Sequence, residues 1–584
     1  MHQIKRILQE VKEFKAASFA TPVWMLVEVI CETLIPLLMA SIITNGVEAG
    51  NMDHILKMGG IMIILVAIGF TGGLLGGVYG AKASTGLARN LRESMFNKIQ
   101  TYSFSNIDKF STAGLVTRLT TDVTNVQNSY QMVLRIAMRA PASMIISLVM
   151  AFVINKNLAS IYLVAIVFLS IVLFFIIRRA TKTFMEAFPK YDALNASVQE
   201  NVSAIRVVKA YVREEEETKK FHKASDAILK IFTKAEKNVI INQPIMQFTV
   251  YSCIILISWL GAKMISTDAL VIGDLMALLT YCMNILMNLM MVSMIFVMLS
   301  MSTASIRRIS EVLEEESTLQ NPAEPVYEVA DGSIVFKDVE FSYNAGAEEP
   351  ILKDIDLEIK SGETIGIIGG TGSAKSTLVN LISRLYDVDK GEVLVGGLNV
   401  KDYDMDSLRN QVSVVLQSNV LFSGSIYENL RWGDIDATDE ECQRACKLAC
   451  ADEFINRFPD GYNTHIEQGG TNVSGGQKQR LCIARALLKK PKILILDDST
   501  SAVDTATDAK IRKAFRDEIP NTTKLIIAQR IASVQDADRI IVMDNGMING
   551  FGTHEDLLAN NEIYREVYES QTGGAGDFDE KEGI

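Results

Sequence analysis

The sequence contains few of the residues that build disulfide or zinc frameworks: seven cysteines and five histidines among 584 residues. Cys31, Cys253 and Cys282 lie in apolar runs, where a thiol behaves as a small hydrophobe. Three more recur every fourth residue, on one stripe of a predicted helix: Cys442, Cys446 and Cys450. Zinc requires a fourth ligand nearby and a knuckle-like spacing, so the cysteines favour helix packing over a metal site.

The sequence also lacks a net positive charge and a recognisable secretion signal. The formal net charge of -12 argues against nucleic acid as a default partner. No short segment with a small-residue cleavage site is visible at the N-terminus, so no signal peptide is expected. Apolar residues are abundant instead: they make up 48% of the chain, with mean hydropathy +0.19, and concentrate in its first half. A chain of this length predicts two or three domains.

Long apolar stretches predict a membrane domain at residues 17–306, preceded by a short cytoplasmic helix at 1–16. A helix needs about 20 such residues to cross the hydrocarbon. The six predicted spans are 18–44, 58–81, 136–155, 157–177, 240–262 and 275–300. Connections after the second and fourth spans are long, polar and helix-patterned, and predict extensions of roughly 40 Å.

Basic residues predict the orientation of these spans. They precede the first span and flank the two long connections: Lys5, Arg6, Lys12, Lys15, Lys82, Arg89, Arg92, Arg178, Arg179 and Lys182. By the positive-inside rule, both termini and both long connections are expected in the cytoplasm. The sequence therefore predicts a multi-pass protein of the cytoplasmic membrane.

Two groups of intramembrane residues are candidates for substrate contact. Glu28 and Glu32 lie one helical turn apart in the first span, and intramembrane acids are functional candidates by default. They either contact a cationic substrate or pair with a neighbouring helix. The sixth span is rich in methionine, which suits a cavity that accepts many shapes and is also ordinary helix filler. Its candidates are Asn284, Met287, Asn288 and Met291.

After a polar linker at 307–332, a soluble α/β domain is predicted at 333–571, followed by an acidic tail at 572–584 that is expected to be disordered. The stretch "IGIIGGTGSAKST" reads as a strand, a glycine-rich turn and a helix start. It matches the P-loop pattern with Ala374 in place of the last glycine. The Cβ of Ala374 costs about 1 kcal/mol if φ is positive there. The candidate phosphate-binding residues are Gly369, Gly370, Thr371, Gly372, Ser373, Ala374, Lys375, Ser376 and Thr377.

Further motifs follow in a fixed order. Gln417 follows the "QVSVV" strand, "NVSGGQKQR" occupies 472–480, and "LDDSTSAVD" runs from 496 to 504. Together with the P-loop, this set resembles the nucleotide-binding domain of ABC transporters. The six spans ahead of it resemble the membrane domain of an exporter-type ABC half-transporter, so the resemblance covers nearly the whole chain.

The resemblance implies a fold, cofactors and residue roles. The expected fold is a membrane α-helical domain with long cytoplasmic extensions, followed by an α/β P-loop NTPase domain of ABC type that binds ATP and Mg²⁺. Tyr343 would stack on adenine. Ser376, Gln417 and Asp497 would hold the metal. The residues that would cover ATP bound to a partner subunit are Ser474, Gly475, Gly476 and Gln477, and Asp504 completes the nucleotide motifs. Segments near 105–110 and 200–207 would be the coupling helices.

Two positions depart from the family pattern. The general base is normally Glu, and Asp498 is one methylene shorter, which places its carboxylate about 1.5 Å back. The position of the family's switch histidine holds Gln529, which hydrogen-bonds but does not relay a proton. With Ala374, these residues predict a site that binds ATP without fast hydrolysis, beside an intact signature motif. This combination resembles the degenerate-site subunit of bacterial heterodimeric multidrug exporters, whose partner is a second, different half-transporter.

Other functions stay open from the sequence. The first expectation is ATP-driven export of amphipathic small molecules, and a peptide or lipid exporter is an alternative. No peptidase-like domain precedes the first span, which weighs slightly against peptide maturation. A nucleotide-binding sensor subunit that signals without transporting is the third possibility. An importer is disfavoured, because its membrane and ATPase parts are usually separate chains.

Overall fold

The computed structural model describes residues 2–343, 349–499 and 501–573. The chain divides into two compact units. One comprises Met1–Thr101 and Ser111–Glu315, and the other comprises Tyr102–Phe110 and Glu316–Ile584. Most of the tail predicted at 572–584 lies outside the described residues.

Helices build the chain before residue 316. In chain order they are α1 (His2–Gln9), α2 (Lys15–Ser41), α3 (Met52–Gln100), α4 (Phe104–Phe110), α5 (Thr112–Thr117), α6 (Val123–Ile154), α7 (Lys156–Ser203), α8 (Ile205–Ala210), α9 (Glu214–Ile240), α10 (Asn242–Ile265) and α11 (Ile272–Glu314). Short 3₁₀ or π-helical segments adjoin them at Lys12–Phe14, Ile42–Glu48 and Arg118–Asp122.

The prediction of six spans is confirmed. Among the described residues, six helical stretches are long and apolar enough to cross a membrane: Lys12–Glu48, Met52–Gln100, Thr112–Ile154, Lys156–Ile176, Glu214–Ile265 and Ile272–Ile295. Helices α3 and α7 contain 49 and 48 residues, so both continue far beyond the length that a bilayer requires. Helix α11 ends at Glu314, inside the segment predicted as a linker.

Glycines bring α2 and α3 together. A Cβ on Gly76 of α3 would lie 2.3 Å from Cε of Met25, and one on Gly72 would lie 3.1 Å from the carbonyl oxygen of Trp24. The backbones of the two helices therefore approach more closely than larger residues on α3 would permit. Close packing through small residues is the usual way for helices to associate in lipid.

The second unit is an α/β domain. Its strands are β1 (Ile334–Phe341), β2 (Leu352–Ile359), β3 (Thr364–Gly369), β4 (Lys390–Val395), β5 (Leu398–Asn399), β6 (Val412–Val415), β7 (Gly424–Ser425), β8 (His465–Ile466), β9 (Ile493–Asp497), β10 (Thr523–Ile527), β11 (Arg539–Asp544) and β12 (Met547–Gly552). Its further helices are α12 (Lys375–Ile382), α13 (Met405–Gln411), α14 (Ile426–Leu430), α15 (Asp439–Leu448), α16 (Asp452–Ile455), α17 (Gly475–Leu488), α18 (Thr505–Glu518), α19 (His554–Asn560) and α20 (Glu562–Gly573).

The central sheet has the order β12-β11-β3-β10-β9-β6. Strands β11, β3, β10, β9 and β6 pair in parallel, and β12 is antiparallel to β11. Strands β9 and β10 are buried throughout, as expected for parallel strands covered on both faces. Because parallel strands share one carboxyl edge, the residues that follow β3, β10, β9 and β6 meet there.

The cysteines of α15 pack as predicted. Cys442 and Cys446 are fully buried in the apolar core that also contains Leu481 and Phe515. Cys450 lies beyond the end of α15, at a positive φ of 52°, so the predicted helical stripe contains two of the three cysteines. All seven cysteines are free thiols.

Candidate nucleotide-binding site and membrane cavity

The glycine-rich turn between β3 and α12 has the backbone shape that its sequence predicts. Gly372 has φ of 86°, and Ala374, directly before α12, is left-handed at φ 71° and ψ 21°. A residue with a Cβ pays about 1–2 kcal/mol for this conformation. Cβ atoms on Gly370 and Gly372 would meet nothing within 4 Å. The turn therefore leaves open space beside its backbone, where phosphate groups fit.

Lys375 begins α12 and folds its side chain back over the turn. Its Nζ donates to the carbonyl oxygens of Gly369 and Gly370, both at 2.8 Å, and to Oγ of Ser373 at 3.2 Å. Burial lowers the pKa of the Lys375 ammonium, against the opposing effect of Asp497 and Asp498. The cation thus lies at the phosphate-binding turn and near the two acids.

Ser376 and Asp497 form a pair of hard oxygen donors. The Ser376 hydroxyl donates to Oδ1 of Asp497 at 3.0 Å, which joins the first turn of α12 to the end of β9. Asp497 is only 5% exposed, and burial raises the pKa of its carboxyl. A hydroxyl and a carboxylate at this separation fit the ligand preference of Mg²⁺.

Asp498 follows at the same edge and interacts with two amides. Oδ2 of Asp498 accepts a hydrogen bond of 2.9 Å from Nε2 of Gln529, which follows β10. Burial raises the pKa of Asp498, while hydrogen bonds with Gln529 and Gln417 act in the opposite direction. The structure therefore brings the predicted Gln417, Asp498 and Gln529 together.

Tyr343 lies two residues beyond the end of β1. Its hydroxyl hydrogen-bonds with Oγ1 of Thr377 at 3.1 Å. Its ring meets the rings of Phe341 and Tyr386 at centroid distances of 5.0 Å and nearly perpendicular angles. With 41% of its surface exposed, Tyr343 has a ring available for stacking on a base.

The signature motif forms the start of α17. Ser474 caps this helix in a capping box. Its hydroxyl oxygen accepts from the backbone N–H of Gln477, and the side-chain oxygen of Gln477 accepts from the backbone N–H of Ser474. A Cβ on Gly476 would lie 2.6 Å from the carbonyl oxygen of Ala502. Asp504 caps α18, and the hydrogen bond from the Thr507 N–H, at 2.9 Å, lowers the pKa of its carboxyl. Ser474 and Gly475 are exposed, so the capped N-terminal end of α17 is accessible.

The segment predicted as the first coupling helix, 105–110, lies within α4, which belongs to the second unit. Tyr386 donates to Oδ2 of Asp108 at 2.9 Å, and its ring lies 6.1 Å from that of Phe104. Tyr386 also touches Tyr343, so one residue contacts both α4 and the candidate base-stacking ring. The second predicted segment, 200–207, spans the end of α7 and the start of α8.

In the membrane unit, Glu28 and Glu32 both pair with an arginine of α6. Nη2 of Arg139 lies 2.9 Å from Oε2 of Glu32 and 3.5 Å from Oε1 of Glu28. Sequence reasoning missed Arg139 and its neighbour Arg135. The available signal was the pair of arginines one helical turn apart at the start of the third span.

The candidates of the sixth span occupy different environments. Nδ2 of Asn288 donates to Ser143 of α6 at 3.0 Å and to the carbonyl oxygen of Asn284 at 2.7 Å, so it ties α11 to α6. Met287 is 61% exposed in this chain. Met291 lines a cavity of about 480 Å³ that Glu28 also lines.

Comparisons with known proteins agree with this arrangement. Residues 21–290 match the ABC transporter transmembrane region, and residues 352–501 match the ABC transporter family model. An uncharacterized ABC transporter ATP-binding protein of Bacillus subtilis strain 168, YfiB, is 37% identical over 96% of this chain and 99% of that protein. A further uncharacterized one from Mycobacterium tuberculosis is 34% identical over 97% and 99%. The solved structure of a bacterial Atm1-family ABC exporter with ATP bound has the same fold, with TM-score 0.78, 23% identity and 99% of both chains covered.

Proposed function

Because this chain belongs to the ABC transporter family, as an exporter half that joins six spans to an ATPase domain, we propose that it works with a different half-transporter. In this proposal the heterodimer exports amphipathic small molecules across the bacterial cytoplasmic membrane with energy from ATP. This chain supplies a degenerate ATP site and the signature motif of its partner's competent site.

The hydrogen bond between Gln529 and Asp498 carries the proposal. A general base must take a proton from the attacking water, and such a base contributes typically 10²- to 10⁴-fold to the rate. Asp498 reaches less far than Glu, and the amide that holds its carboxylate neither takes up nor releases a proton. Both features favour retention of ATP over its rapid hydrolysis at this site.

The remaining residues are suited to holding Mg²⁺-ATP. When bound, Mg²⁺ supplies charge neutralisation between the phosphates. Ser376 and Asp497 would hold it, with Gln417 beside them. Lys375 would leave its two carbonyl partners for the outer phosphates, and the ring of Tyr343 would stack on adenine.

The signature motif supports a role at a second site. Its serine is exposed, its helix cap is complete, and Gly476 has no space for a side chain. In ABC transporters this motif covers ATP on the partner subunit, so an intact motif beside a degenerate P-loop site suits a heterodimer.

Measurement of ATPase activity with and without a partner tests the proposal. The purified chain alone should hydrolyse ATP slowly, and co-expression with its cognate half should restore both turnover and ATP-dependent uptake into inverted vesicles. Robust hydrolysis by the chain alone, abolished by Lys375→Ala, would contradict the heterodimer. Turnover without uptake of any amphipathic compound would contradict export.

A further inference from the structure

The cavity in the membrane unit has the size and lining of a small-molecule site. Its volume is about 480 Å³, within the usual range of roughly 300–1,000 Å³ for ligand pockets. Its wall combines apolar side chains with the amides of two residues of α6, Asn128 and Gln131. The apolar side chains are Met25, Met132, Ile136 and Met291.

Two arginines of α6 also line this cavity, and their surroundings differ. Arg139 is engaged by the carboxylates of Glu28 and Glu32. Arg135 has no hydrogen-bond or ion-pair partner among residues 2–343, 349–499 and 501–573, and its Nε, like that of Arg139, is buried without an acceptor. An arginine in a membrane segment is costly to insert, so one without a partner inside the chain indicates a functional role.

Glycines of α3 fix the position of Arg135. A Cβ on Gly80 would lie 3.1 Å from Cδ of Arg135, and one on Gly77 would lie 4.0 Å from its Nη2. The stem of the arginine therefore lies against the glycine face of α3. A side chain held in this way loses little conformational freedom when it binds a ligand.

We propose that Arg135 anchors the head group of the exported compound, so that the preferred substrates are amphipathic anions with a carboxylate on an apolar body. This inference rests on the proposed export function. The guanidinium fork matches a carboxylate with two parallel hydrogen bonds. The two amides supply further donors beside it, and the flexible methionines accommodate apolar bodies of different shape.

The same geometry disfavours a cation, which the acids of the first span suggested from the sequence alone. Both acids already share Arg139, so a cation would have to compete with that arginine. The carboxylate carbon of Glu28 also lies only 3.2 Å from where a Cβ on Gly73 would be, which places it against α3. Of the three charged residues that line the cavity, only Arg135 has no counterion within the described part of the chain, and its charge is positive.

Three fluorescent amphiphiles that differ in head-group charge test the proposal. Dansyl-leucine carries a carboxylate, dansyl-leucinamide is its neutral match, and dansyl-cadaverine carries an ammonium. Each is titrated without nucleotide into the full-length chain, assembled with its cognate half, in nanodiscs. The wild type should bind dansyl-leucine about tenfold more tightly than the neutral match, and the ammonium compound most weakly.

Variants locate the site. Arg135→Gln should weaken binding of dansyl-leucine about tenfold and change binding of dansyl-leucinamide little. Arg135→Lys keeps the charge without the fork, and should give an intermediate loss. Arg307→Gln, which removes an exposed arginine elsewhere on α11, is the matched control and should bind all three probes as the wild type does.

Equal binding of the three probes by the wild type would overturn the proposal even if Arg135→Gln fails to fold. An Arg135→Gln variant that still binds dansyl-leucine more tightly than dansyl-leucinamide would also overturn the proposal. Because no ATP is present in the titration, a wild-type protein that shows normal ATPase activity but no charge preference contradicts only the anion site. Normal binding without ATP-dependent uptake contradicts only the export function.

Discussion

Nε2 of Gln529 donates a hydrogen bond of 2.9 Å to Oδ2 of Asp498 and so joins the ends of the neighbouring strands β10 and β9. In the proposed function, these two residues stand where an ABC transporter would have its general base and its switch histidine. A carboxylate held by an uncharged amide remains a good hydrogen-bond acceptor, but it has no partner that can carry a proton onward.

Asp498→Asn should change the steady-state ATPase rate of the assembled heterodimer by only a small factor. A working general base would contribute about 10²- to 10⁴-fold, equivalent to roughly 3–5 kcal/mol of barrier, and most of that is expected to be absent here. The rate is measured at saturating Mg²⁺-ATP. Complete loss of turnover would assign the catalytic site to this chain.

Ser474→Ala should have the opposite result and reduce turnover of the heterodimer by about an order of magnitude or more. The serine is exposed at the capped end of α17, and the proposal places it against the γ-phosphate at the partner's competent site. Gly476→Val should act similarly, because its side chain would collide with the Ala502 carbonyl. Nucleotide binding is checked separately, and Asp498→Asn is the reference. A silent Ser474→Ala would show that the two sites are assigned the wrong way round.

Ala374→Gly should stabilise the P-loop. Glycine removes about 1–2 kcal/mol of left-handed strain at φ 71°, offset in part by about 0.4–1 kcal/mol from the greater freedom of the unfolded chain. The expected result is a gain of up to about 1.6 kcal/mol, seen as a higher Tm of the full-length protein. The control is Gly372→Ala, which adds a Cβ at φ 86° and should lower Tm.

Glu363→Gln should destabilise the second unit at pH 7 by on the order of 1 kcal/mol. Burial alone would raise the pKa of Glu363, but its hydrogen bonds with Arg539 and with the Lys360 backbone hold the pKa below its usual value. Arg539 contacts both carboxylate oxygens, at 2.9 and 2.5 Å.

The pH dependence of that effect follows from the sign of the pKa shift. A lowered folded pKa adds stability above the unfolded pKa of about 4.3, and this stability is lost as the pH falls through the folded value. The difference in Tm between wild type and Glu363→Gln should therefore be full at pH 7 and 5 and shrink below about pH 4. The exposed Glu569→Gln is the control, and a difference that grows on acidification would contradict the assigned role.

The sequence predicts those features that short-range patterns encode. Six apolar stretches of sufficient length predict the membrane helices. The P-loop pattern shows that Ala374 stands where a glycine is usual, but the positive φ of 71° at that position is known only from the structure. The pairing of Arg139 with Glu32 is different, since 107 residues separate them and only the packing of α2 against α6 brings them together. Arg135 is likewise visible in the sequence, but its lack of a partner is a property of the folded helices.

The glycines at positions 72, 76 and 80 of α3 recur every four residues, and we expect substitutions at all three to be selected against. In a library of all single substitutions, variants at these positions should be depleted because less of the protein accumulates in the membrane. Met25, the Trp24 backbone and Arg135 fill the space that a new side chain would need. Gly59 and Gly60, which have nothing within 4 Å of a Cβ, should tolerate alanine. The pattern of abundance in such a library would thus trace the line along which α3 meets its neighbours, even in cells that never encounter a transported compound.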